Sequence, residues 1–171
     1  MKEESTQERY IGDDSITNLD EYKIKKILIA VDKSGFKNKI MHNGLMLAKA
    51  FNATLIAIHV LDKAAMGIDW NLLSFYRGGR MENYENALIK ESETLLNETK
   101  ILAQKHGITV ATKVITNSSS SAESIIDYAK DNEVDLIIIG TKGLAGIDRF
   151  VMGGVANQVI AHAHCRVLAV R

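Results

Sequence analysis

Five short runs, KKILIAV (25–31), ATLIAIHVLD (53–62), ITVATKVIT (108–116), DLIIIG (135–140) and RVLAVR (166–171), are rich in β-branched and other apolar residues. Each has strand length, and they do not show the strict alternation expected of strands with one wet face. Segments of helical period separate them. Met41, Leu45, Ala48 and Phe51 recur within 37–52, and Tyr84, Leu88, Leu95 and Leu102 within 82–106. Ile125, Ile126 and Ala129 follow a capping box, Ser120-x-x-Glu123, and VANQVIAHAH (155–164) precedes the last run. Apolar strands alternating with helices predict an α/β fold, an open parallel sheet covered on both faces, with right-handed crossovers. Such sheets take ligands beyond the carboxyl ends of their strands, where the winding direction reverses. That rule draws attention to Asp32, Val60 and the segment after Ile139.

Composition bounds the partners. Lys+Arg and Asp+Glu are both 21, so bulk charge recruits neither nucleic acid nor an anionic membrane. The distribution is uneven: residues 1–22 carry seven carboxylates against Lys2 and Arg9, a net −5, leaving +5 on the remainder. This polar, aperiodic stretch predicts a flexible acidic extension ahead of a single domain over 23–171. Residues 63–81, with Trp70, Phe75, Tyr76 and the pair Gly78-Gly79, read as a variable insert. His106-Gly107 is a good helix stop. One cysteine, Cys165, fits a reducing compartment, and neither a secretory h-region nor an apolar span appears, so a cytoplasmic location is expected.

The fourth run leads into GTKGLAGIDRFVMGG (140–154), five of the chain's 12 glycines, and then a helix. A helix start presents unpaired N–H donors and a partial positive charge, so bare backbone here suits a phosphate chain. The same glycines also suit a turn and a helix cap. The spacing is neither the dinucleotide pattern nor a Walker A loop, since Lys142 lies within the segment and no Gly-Lys-Ser/Thr closes it.

Gly140-x-x-Gly143, nine residues, then Gly153 and a small residue closely resembles the nucleotide-binding pattern of the universal stress proteins. The flanks IIIGTKGLAGIDRFVMGG and VANQVIAHAHCRVLAVR, with the opening strand ILIAVDKS, extend the likeness over about residues 24–171. The resemblance implies a Rossmann-like sheet of order 3-2-1-4-5, akin to the adenine nucleotide alpha hydrolases. It also implies pairing of two copies through the last strand (166–171) and, in one branch, ATP binding. Carried over by position, Ala30, Val31 and Asp32 would lie along the nucleoside, with Asp32 near the ribose or a bound Mg or Mn ion. Val60 and Ile139 would flank the adenine. Amides of Gly140, Thr141, Lys142, Gly143, Leu144, Ala145 and Gly146, and of Gly153, Gly154, Val155 and Ala156, would hold the phosphates. Two departures stand out. Gly154 occupies a position where ATP-binding members usually carry Ser or Thr, which removes a hydroxyl donor. Arg166 stands where the family often has Pro.

Other constellations weigh less. His42-Asn43-Gly44-Leu45 resembles the His-x-Gly-His element of adenylyltransferases, but its second histidine is replaced by Leu45 and it falls within a helical pattern. His162, His164 and Cys165 are metal-capable, yet no second Cys or CxxC accompanies them. Cys165 has no base–orienter arrangement for a catalytic thiol. His59 is expected to pack at the core edge. No residue set supplies both a general base and an oriented water, so a binding protein is expected rather than an enzyme. Slow ATP hydrolysis would need a bridging divalent cation. The alternative is a nucleotide-independent, dimeric interaction protein of the same fold, working through the insert or the acidic extension.

Overall fold

The structure is a computed structural model that describes residues 23–62, 80–118, 120–141 and 152–171. The expected flexible extension, most of the 63–81 insert, and Lys142, Gly143, Leu144, Ala145 and Gly146 lie outside the described residues. The elements run β1 (Lys26–Ala30), α1 (Lys37–Phe51), β2 (Thr54–Asp62), α2 (Arg80–Lys105), β3 (Val110–Ser118), α3 (Ser121–Asp131), β4 (Leu136–Gly140), α4 (Gly154–His162) and β5 (Arg166–Val170). They form a five-stranded sheet in the order β3-β2-β1-β4-β5, parallel throughout.

Residue parity along the strands divides the core into two layers, because successive side chains of a strand point to opposite faces. Ile27, Ile29, Val31, Leu55, Ala57, Leu136 and Ile138 pack with Ile40, Met41, Leu45 and Ala48 of α1 and Leu95, Leu96 and Ala103 of α2. Leu28, Ile56, Ile58, Ile137 and Ile139 pack on the opposite face with Ala122, Ile125 and Ala129 of α3 and Ala156 and Val159 of α4. Double burial of β1 and β4 is what their uninterrupted apolar sequence required. Gly44 lets α1 approach closely, since a Cβ built there would stand 2.8 Å from Ile29 Cγ2. His42, two residues earlier, is exposed, so it is Gly44 alone that serves helix packing here.

The ends of several elements follow from side-chain chemistry. Gly107 closes α2 in the left-handed region at φ 71°. The Ser120 hydroxyl caps α3 by accepting from the Glu123 amide at 3.4 Å. At the amino edge of the sheet, one Asp135 carboxylate oxygen accepts from the Lys25 and Lys26 amides at 2.7 and 2.8 Å. That bond joins the starts of β1 and β4. No helix among the described residues is long and apolar enough to cross a membrane.

Candidate functional site at the carboxyl ends of β1 and β4

The winding reverses between β1 and β4, whose neighbours on either side are β2 and β5. Register pairs β1 with β4 only as far as Ile29 and Ile138. Beyond these residues the two strands end, and the structure brings together there the described members of the expected site.

On the β1 side, Val31 is buried and its amide donates to the Ile58 carbonyl at 2.9 Å. Its carbonyl receives the Nδ1–H of His59 at 2.7 Å. A carbonyl only accepts, so this contact places the ring proton on Nδ1. Asp32 then turns the chain: its Oδ1 accepts from the Ser34 amide at 3.0 Å and from the Ser34 hydroxyl. The Ser34 hydroxyl accepts in turn from the Phe36 amide at 3.3 Å. Asp32 is therefore a turn-forming carboxylate that stays half-exposed. Ala30 and Val60 border the α3–α4 layer, and Ile139 lies inside it.

On the β4 side, Gly140 pairs with Val170 of β5, and the Thr141 amide donates to the Val170 carbonyl at 2.9 Å. The Thr141 carbonyl accepts from the Gly153 amide at 2.8 Å, which places residue 141 one hydrogen bond from the start of α4. The Thr141 hydroxyl is buried and has no hydrogen-bond partner among the described residues. Buried polar atoms nearly always find one, so this oxygen marks a place where a ligand atom would be stabilised.

Gly153 is the N-cap of α4 and supplies no side-chain cap. Helix geometry leaves the first amides without internal partners. Those of Gly154, Val155 and Ala156 have none among the described residues, whereas the Gly153 amide is committed to Thr141. A Cβ at Gly154 would meet nothing within 4 Å, so the missing hydroxyl leaves open space, not a filled one. Three free amides, the positive end of the helix dipole and an orphaned hydroxyl form a fitting cradle for an anion.

The remaining sequence candidates do not join this set. His162 borders a groove of about 460 Å³ between α3 and α4, with Ala122, Glu123, Ile126, Asp127 and Gln158, none of them at the strand ends. No group of three His, Cys, Asp or Glu among the described residues could hold a metal ion. Burial, and next the Asp135 carboxylate, push the Cys165 thiol above its usual range, the opposite of what a reactive cysteine needs. Two contacts have no counterpart in the sequence reading. They are the His59–Val31 bond and the Asp62 carboxylate, which accepts from the Ser121 amide at 3.1 Å and hydroxyl at 2.8 Å.

Comparison with known proteins places this geometry. A sequence profile described as the universal stress protein family matches residues 23–171. A universal stress protein of Methanocaldococcus jannaschii is 31 % identical over 147 residues, covering 86 % of this chain and 82 % of that protein. Among solved structures, a universal stress protein from Lactobacillus plantarum superposes with a TM-score of 0.69 at 22 % identity, over 87 % of this chain and 99 % of that one. A universal stress protein from Archaeoglobus fulgidus in complex with dAMP gives 0.61 at 21 % identity, over 87 % and 99 %.

Proposed function

Because the chain belongs to the universal stress protein family, we propose that it binds an adenine nucleotide, ATP in the first instance, across the carboxyl ends of β1 and β4. In this reading it is a cytoplasmic, nucleotide-responsive regulator of a stress response, not an enzyme. The observation that carries the reading is the start of α4, whose three amides, like the buried hydroxyl of Thr141 beside them, have no partner among the described residues. The dAMP bound to the Archaeoglobus relative supports the ligand class.

Val60 and Ile139 would flank the adenine, and Ala30, Val31 and Asp32 would lie along the nucleoside, with Asp32 at the ribose. Gly154, Val155 and Ala156 would face the phosphates, joined by amides of the glycine segment. A divalent cation would neutralise phosphate charge, with Asp32 near it and phosphate oxygens and water supplying the ligands. The same reading makes the protein a homodimer through 166–171. β5 is the last strand of the sheet and its residues Val167, Leu168 and Ala169 are half-buried, and a second copy would pair along its outer edge.

Gly154 favours a second reading, in which the fold works as a dimeric interaction protein without nucleotide. A missing hydrogen bond to a charged group is worth about 1.5–3 kcal/mol, or about tenfold to a hundredfold in affinity. Calorimetric titration with Mg-ATP, ADP and AMP separates the two. Saturable heat and a raised melting temperature are expected. Neither effect at millimolar nucleotide would leave only the second reading.

A further inference from the structure

We propose that His59 is a positioning residue for the nucleotide site: by holding the Val31 carbonyl towards β2, it aims the Asp32 amide into the crevice between β1 and β4, where the nucleoside would accept from it. The inference rests on the nucleotide-binding reading above and names a residue which that reading leaves out.

The argument starts from the ladder. β1 and β2 are paired from Lys26 and Thr54 to Ala30 and Ile58, and the Val31 amide still reaches the Ile58 carbonyl. One step later the Val31 carbonyl is bonded to a side chain, the His59 ring at 2.7 Å. The imidazole thus fixes the chain where β1 has already ended. His59 is only 8 % exposed, and Val31 only 3 %, so water competes little for this bond.

The peptide unit then transmits the constraint. In a trans peptide the carbonyl of one residue and the amide of the next lie in one plane and point opposite ways. All peptide bonds of the described residues are trans. With the Val31 carbonyl turned to β2, the Asp32 N–H must turn to the β4 side, and it has no partner among the described residues. It is therefore a donor facing the point where the winding reverses. The Asp32 side chain is fixed separately through Ser34, so His59 governs the main chain and Ser34 the carboxylate.

Two substitutions separate positioning from packing. Asn places an amide N–H where the histidine has Nδ1–H, whereas Leu fills similar space with no donor. Calorimetry with Mg-ATP should show affinity reduced about tenfold in His59→Leu, the size of one hydrogen bond. In His59→Asn it should stay within about threefold of the parent. In ligand-free protein, the Asp32 amide resonance should shift in His59→Leu and return in His59→Asn. Parental affinity in His59→Leu, or equal losses in both variants, would overturn the proposal. An Asp32 resonance unmoved by His59→Leu would overturn the positioning itself, whatever the parent binds. A parent protein that binds no adenine nucleotide would instead overturn the reading beneath it, a result told apart by the parent titration alone.

Discussion

Helices α3 and α4 pack on the same face of the sheet and both begin at its carboxyl edge, yet their first turns are treated in opposite ways. At α3, Ser120 caps the Glu123 amide and the Asp62 carboxylate takes the Ser121 amide and hydroxyl. The Ser121 and Glu123 donors there are satisfied from within the protein, and a carboxylate already offsets the helix dipole. At α4 the cap is Gly153, which has no side chain to give, and three amides stand free among the described residues. Glycine in place of Ser or Asp costs a few tenths of a kcal/mol of helix stability. The contrast separates a start closed by the fold's own side chains from one that, in the proposed function, would be left open for a ligand. The positive bias of the body, +5 once the acidic extension is set aside, favours an anion at the open one.

Making the open start resemble the closed one is the strongest way to break this contrast. Gly153 has φ −59° and ψ 147°, a conformation any residue adopts. Gly153→Asp should therefore leave the urea midpoint unchanged or slightly raised. Its carboxylate would occupy the α4 amides and repel phosphate, weakening Mg-ATP more than about a hundredfold by calorimetry. Unaltered affinity would separate the start of α4 from the ligand. Sharpening the contrast instead, Gly154→Ser adds a hydroxyl where a Cβ meets nothing within 4 Å. Mg-ATP should tighten by about tenfold, and an unchanged value would mean that position 154 faces away from the phosphates. Thr141→Val removes the orphaned hydroxyl at nearly constant volume. Ligand-free stability should hold or rise by about 1 kcal/mol in urea, while nucleotide affinity falls severalfold. Ser120→Ala, on the closed helix, should cost about 1 kcal/mol of stability and leave nucleotide affinity alone.

These two starts also show what a sequence can reveal. Ser120-x-x-Glu123 is a local pattern, so the α3 cap could be read in advance, and the five apolar runs set strand number and parallel pairing. Element ends came within about two residues because their signals are local: Gly107 for α2, Ser120 for α3. The sheet order and the assignment of individual residues to a nucleotide came from resemblance to a family, whereas the strand-end rule and the glycine segment had already marked the region. Asp62 on Ser121 and His59 on Val31 stayed hidden for a physical reason. They join residues 59 and 28 positions apart, and nothing in a one-dimensional pattern says that a strand-end side chain will meet that partner. His59 was legible as a residue packing at the core edge, as its burial bears out, but not as the partner of Val31.

The β1–β4 seam carries a consequence for how the molecule assembles. The two strands are brought together across 109 residues of chain, as the Lys26–Asp135 bond measures. Closing so long a loop is entropically costly before its contacts form, so this junction should mature late, after the strand–helix–strand units on either side. A small molecule lying across the junction would then act as a rivet. It would slow the opening of the halves as well as raise the melting point, and amide exchange along Ile27–Ile29 and Leu136–Ile138 would report it strand by strand.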